Sequence, residues 1–127
     1  MDRRRTILIV DDSQALLEVL GVAFSEAGYA VVTASDGEEV LRKLASSEPD
    51  ALLLDVYMPR LNGADVCRVV KAHPHWKKIH LVIMSSRVSD DEATSYRRLG
   101  ANEVLRKPFD VDELVRSVSK RIGAAAM

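Results

Sequence analysis

Ile7-Leu8-Ile9-Val10-Asp11-Asp12 is the stretch that decides the fold: four apolar residues in unbroken succession, then two aspartates. A strand with one solvated face alternates polar and apolar residues, whereas a strand buried on both faces reads as a continuous apolar run. Runs of four or five residues fit strands better than helices. The opening run is therefore a central strand of a parallel sheet that ends in acid. Ala51-Leu52-Leu53-Leu54 repeats the pattern and runs into Asp55, and residues 80–84 form a third such run before Ser85-Ser86. Two weaker runs, 30–33 and 103–105, bring the strands to five, the last leading towards Lys107-Pro108.

Helical patterns fill the gaps. After Ser13, residues Leu16, Val19, Leu20, Ala23, Phe24 and Ala27 recur at three- and four-residue steps, and Gly28 is a plausible stop. Asp36-Gly37 opens a second segment with Val40, Leu41 and Leu44, and Asn62-Gly63 a third with Val66, Cys67, Val69 and Val70. Ser89-Asp90-Asp91-Glu92 has the acidic first turn of a helix that carries Ala93, Tyr96 and Leu99 and closes at Gly100. Asp110 opens the fifth, with Glu113 three residues on in the manner of a capping box, then Leu114, Val115, Val118 and Ile122. Strand and helix alternate five times, which predicts an α/β fold: a doubly wound parallel sheet with helices on both faces and right-handed crossovers.

The chain has 127 residues, 47% hydrophobic and 29% charged, with a formal net charge of −1. That suits one domain, taken as residues 5–122 with flexible termini at 1–4 and 123–127. The charge balance gives no basic footprint for direct nucleic-acid binding. Cys67 is the single cysteine, so no internal disulfide is available. The apolar stretch after Arg3-Arg4-Arg5 is too short for a secretory signal core or a membrane span. A cytoplasmic protein without membrane insertion is expected.

In open parallel α/β sheets, ligands bind beyond the carboxyl ends of the strands. Those ends carry Asp11-Asp12, Asp55, Ser85-Ser86 and Lys107. Crowded carboxylates resist joint ionisation, and a hard divalent cation relieves the repulsion. Mg²⁺ favours a few carboxylates, waters and a phosphate oxygen over an all-protein cage. One carboxylate oxygen can then attack phosphorus, while an ammonium group neutralises charge on the transferring group and Ser85 donates its hydroxyl. Taken singly, each aspartate reads as a helix cap; the set, on matching strand ends, reads as a site.

At this point the chain resembles the receiver domains of bacterial two-component response regulators, over roughly residues 5–122. The resemblance is carried by Ile7-Leu8-Ile9-Val10-Asp11-Asp12-Ser13, Leu53-Leu54-Asp55-Val56-Tyr57-Met58-Pro59, Asn62-Gly63, Met84-Ser85-Ser86, Arg106-Lys107-Pro108-Phe109 and the intervals between them. It implies a flavodoxin-like sheet of order 2-1-3-4-5 with five helices. It further implies that Asp55 is the phosphoacceptor and that Ser85 and Lys107 contact the phosphoryl group. Mg²⁺ would be held by Asp11, Asp12, Asp55 and the backbone carbonyl of Tyr57. The donor would be a histidine kinase, a phosphotransfer protein or a small phosphodonor. A downstream protein or output domain would meet the face made by the fourth helix, fifth strand and fifth helix. The Lys107-Pro108 bond is expected to be cis. One position departs: the aromatic that relatives usually carry on strand five is here Val104. Tyr57 and Arg87 occupy variable positions that influence loss of the phosphoryl group; a bulky Tyr57 shielding the acyl phosphate from water and Arg87 pairing with an acidic neighbour predict a long-lived phosphorylated state.

Two other functions use similar residues. A pseudo-receiver would dock partners constitutively; the intact acidic set and Lys107 speak against it, and Val104 leaves it open. A haloacid-dehalogenase-like phosphohydrolase would carry a second aspartate two residues past the nucleophile, where this chain has Tyr57. A switch, with at most self-phosphorylation and slow autodephosphorylation, is expected rather than a turnover enzyme. His73, His75 and His80 read as surface and strand-edge residues, Cys67 as a buried inert thiol and Trp76 as packing over the loop before strand four. The sequence leaves open whether this is a stand-alone regulator or the receiver portion of a longer chain.

Overall fold

A computed structural model describes residues 4–123. Strands and helices alternate as β1 (Thr6–Val10), α1 (Gln14–Glu26), β2 (Ala30–Ala34), α2 (Gly37–Ser47), β3 (Ala51–Asp55), α3 (Gly63–Ala72), β4 (His80–Ser85), α4 (Asp90–Arg98), β5 (Glu103–Arg106) and α5 (Val111–Ile122). The sheet runs β2-β1-β3-β4-β5 with every neighbouring pair parallel, which is the expected order. The three continuous apolar runs form the three inner strands, and the two weaker ones lie at the edges, where burial is partial.

Alternation along each strand splits the core into two layers. Leu8, Val10, Leu52, Leu54, Leu81 and Ile83 face Val40, Leu44, Val66, Cys67 and Val70 from α2 and α3, with Tyr96 of α4 and Leu99 just past its end packed beside them. Ile7, Ile9, Leu53, Val82 and Met84 face Leu17, Leu20 and Phe24 of α1 and Leu114 and Val118 of α5. Each fully buried Leu or Ile contributes about 1.5–3 kcal/mol relative to exposure. Cys67 lies fully inside the first layer, and burial pushes its thiol up to about 11, so it stays a protonated packing residue.

Every expected helix start is a working cap. The side chains of Ser13, Asp36, Asn62, Ser89 and Asp110 each accept a backbone N–H from the first turn that follows. The fully reciprocal capping box occurs at Ser89 and Glu92; at Asp110 the side chain accepts the N–H of Glu113. Gly28 and Gly100 follow α1 and α4 at φ 97° and 109°. There the N–H of Tyr29 reaches Phe24 O, and that of Ala101 reaches Tyr96 O, a left-handed ending that suits glycine.

β3, β4 and β5 each run one residue further than the apolar runs suggested, taking in Asp55, Ser85 and Arg106. The acceptor candidate is thus part of the sheet ladder, opposite Met84. The expected flexible termini fall mostly on residues 1–3 and 124–127, outside the described residues. No described helix is long and apolar enough to cross a membrane.

Candidate functional site

Sheet register gathers the site. β1 and β3 are neighbours with Val10 opposite Leu54, so Asp11 and Asp55 leave the sheet side by side. Lys107 follows β5, two strands away from β3, and its backbone N–H donates to Ser85 O at 2.9 Å. Its long stem carries the ammonium group back across the sheet edge. Nζ lies 2.7 Å from Asp11 Oδ2 and 3.4 Å from Asp55 Oδ2. The Lys107-Pro108 bond is cis.

Each buried carboxylate spends its other oxygen on its own loop. Asp11 Oδ1 accepts the Ser13 N–H and Asp55 Oδ1 accepts the Tyr57 N–H, both at 2.9 Å. These two-residue turns fix the carboxylate planes. Asp11 is 0% exposed and Asp55 4%, whereas Asp12 is open to solvent. Burial pushes the Asp55 carboxyl above its ordinary value, and the Asp11 charge adds to this; the Tyr57 N–H and Lys107 pull the other way without cancelling it. Burial also works against the charge on Lys107, but its hydrogen bond to Asp11 and the fields of Asp11 and Asp55 outweigh that and leave its pKa raised. Lys107 is therefore a fixed cation.

Carboxylate oxygens of Asp11, Asp12 and Asp55 lie within 4.8 Å of one another. An all-oxygen donor set of this kind suits Mg²⁺ and similar hard cations, not soft ones. The three carboxylates open on a cleft of about 590 Å³ lined also by Ser13, Tyr57, Ser86, Arg87 and Lys107.

Of the residues expected to act, Asp11, Asp12, Asp55, Tyr57 and Lys107 meet at this cleft. Ser85 does not line it. It is fully buried at the end of β4, its Oγ accepting the Arg87 N–H at 3.0 Å, and Ser86 takes the lining position. Val104 packs, partly buried, against the α2–α3 side of the core. His80 is not an open strand-edge residue: it is buried, with Nε2 at 2.8 Å from Glu103 Oε2. Trp76 stacks on His73 at 3.9 Å between ring centroids.

Two connections were not anticipated from sequence. The Tyr57 hydroxyl donates to Glu92 Oε2 on α4 at 3.2 Å. Arg106 donates to Val88 O at 3.2 Å and pairs with Asp90 at the start of the same helix. The acidic first turn of α4 was the available signal, being a row of acceptors with no assigned donor.

Comparison with known proteins gives a consistent answer. The family model for the response regulator receiver domain matches residues 7–119. Response regulator MprA of Mycobacterium ulcerans (strain Agy99) is 41% identical over 109 residues, covering 86% of this chain and 46% of that protein. MprA of Mycobacterium tuberculosis (strain H37Rv) gives the same identity and coverage. The chain spans about half the length of the curated relatives it matches. Among solved structures, chemotaxis protein CheY4 of Vibrio cholerae superposes with a TM-score of 0.85 at 27% identity, covering 94% of this chain and 99% of that one. The signal receiver domain of a response regulator from Bermanella marisrubri gives 0.84 at 27%, covering 95% and 100%.

Proposed function

We propose a function from one premise: the chain belongs to the response regulator receiver domain family. Such domains are signalling modules of two-component systems rather than turnover catalysts. In our reading the receiver unit is residues 5–122, and Asp55 is its phosphoacceptor.

The observation that carries this is the contact of Lys107 with both Asp11 and Asp55 in a cleft holding three carboxylates. Among the three, Asp55 has the better-placed nucleophile. Asp11 is fully enclosed, with both oxygens in short hydrogen bonds, and Asp12 lies out in solvent. Asp55 Oδ2 is the more loosely held oxygen, with the ammonium group 3.4 Å away.

Asp55 Oδ2 attacks the phosphorus of a phosphohistidine or of a small acyl phosphate. The bond from phosphorus to the donor breaks, and its electron pair leaves on the donor's imidazole nitrogen or carboxylate oxygen. Lys107 shifts its ammonium group from the carboxylates onto the incoming phosphoryl oxygens and offsets their charge. Ser85, once its hydroxyl turns outward, donates to one of them. Asp11, Asp12, Asp55 and the Tyr57 carbonyl would hold Mg²⁺, which supplies charge neutralisation between carboxylates and phosphoryl group when bound. Tyr57 and Arg87 flank the acyl phosphate, and a label persisting well beyond seconds in purified protein is expected. The added charge draws Ser85 and Lys107 towards the phosphoryl group and alters the α4–β5–α5 surface for a downstream protein or output domain. A histidine kinase or phosphotransfer protein in the cytoplasm would be the donor.

The test is intact mass after incubation with acetyl phosphate and Mg²⁺. Native protein gains one phosphoryl group and Asp55→Asn gains none. A folded native protein that gains nothing from acetyl phosphate or from a phosphorylated kinase would favour a constitutive docking module instead.

A further inference from the structure

Tyr57 is bonded at both ends. Its backbone N–H donates to Asp55 Oδ1 at 2.9 Å, and its hydroxyl, on a residue 46% exposed, donates to Glu92 Oε2 at 3.2 Å. The other oxygen of Glu92 accepts the Ser89 N–H at 3.2 Å, and the Glu92 N–H donates to Ser89 Oγ at 3.1 Å. One residue thus lies between the acceptor carboxylate and the capping box that starts α4. The rest of α4 is held differently. Tyr96, one turn further on, is half buried in the core, and its hydroxyl lies 3.0 Å from where a Cβ on Gly63 would stand, beside Val56. The helix is wedged by packing at its middle and tied by polar contacts at its start, which is the arrangement of a pivot.

We propose that Tyr57 is the positioning residue that reports the state of Asp55 to α4, by releasing Glu92 when the acceptor is occupied. The inference rests on Asp55 being the acceptor. Phosphorylation makes one Asp55 oxygen the bridge to phosphorus and leaves the other a carbonyl. The bond from the Tyr57 N–H is then no longer to a charged acceptor and loses about half its strength. The phosphoryl group also enters the cleft that Tyr57 lines. Tyr57 moves, Glu92 loses its hydroxyl donor, and the first turn of α4 loosens around Tyr96. Val104, an aliphatic residue on β5, offers no polar contact that could do the same.

Amide hydrogen exchange at Glu92 and Ala93 tests this in native protein and in Tyr57→Phe, which keeps the ring and the backbone N–H and removes only the hydroxyl. Without a phosphodonor, Tyr57→Phe should exchange about two- to tenfold faster at these amides, the range set by one hydrogen bond. Phosphorylation should bring native protein to the same rate and add little to Tyr57→Phe. Arg106→Gln, which loosens the same turn from β5, should speed exchange yet keep the response to phosphorylation. The proposal is overturned if Tyr57→Phe matches native protein before phosphorylation, or if it retains the full response after it. Intact mass on the same samples separates the two readings. An unlabelled native protein counts against Asp55 as acceptor, while the comparison of resting proteins still decides the Tyr57 link.

Discussion

The two ends of the sheet carry clefts of similar size, about 590 Å³ at the carboxyl end and 540 Å³ at the amino end, and charged side chains line both. Their chemistry differs. At the amino end, buried polar groups are matched. His80 meets Glu103, which also accepts the Ser117 hydroxyl; Asp50 accepts the Thr6 N–H; the Lys71 ammonium donates to Lys77 O, Ile79 O and Asn102 Oδ1. At the carboxyl end, three carboxylates gather and one ammonium group, that of Lys107, pairs with two of them. The matched end holds the fold together. In the proposed function the mismatched end keeps charge in reserve for a ligand, which is how a site differs from a structural network.

The contrast can be broken most strongly at Lys107. Lys107→Met should slow phosphoryl gain from acetyl phosphate about 10²–10³-fold, as expected for losing one preorganised charge-stabilising donor. Timed intact-mass spectra would check it, and an unchanged rate would remove Lys107 from the chemistry. At the other end, Lys71→Met should leave the labelling rate alone and cost about 1–3 kcal/mol in urea unfolding, since three acceptors each lose a donor. A labelling defect there would blur the division between the ends.

The smallest effect sharpens the comparison from the side of stability. Burial holds the Asp55 carboxyl above its ordinary value of 3.8, so folding favours its protonated form. Its contribution to stability is fully present below that ordinary value and is lost as pH rises through the raised one. Without divalent cations at neutral pH, Asp55→Asn should therefore melt slightly above native protein, and the gap should close on acidification. A variant that melts lower at neutral pH would mean that the hydrogen bonds of Asp55 outweigh its desolvation.

These two ends were unequally legible. The inner strands could be read because burial on both faces leaves no room for polar residues in 7–10 or 51–54. The helix starts could be read because Ser13, Asp36, Asn62, Ser89 and Asp110 act within their own first turns. Asp11, Asp12, Asp55 and Lys107 could be placed together because each ends or follows a strand and the sheet order does the rest. The pairing of His80 with Glu103, the acceptors of Lys71 and the reach of Tyr57 to Glu92 could not. Each joins positions far apart in sequence through side chains whose directions are set only after the layers pack. The orientation of Ser85 was equally out of reach, since its hydroxyl goes to the nearby Arg87 N–H instead of the cleft.

Asp55 is the last residue of β3, a strand flanked on both sides and buried throughout. Inner strands open only with the whole fold, while helix ends fray on far shorter timescales. With Asp55 as the acceptor, the molecule would keep its record on one of its slowest parts and display it at a helix end, where motion is faster. A mark surviving there would be consulted many times over by the brief excursions of the start of α4, so that a single covalent event would become a time-averaged signal with the noise of individual motions removed.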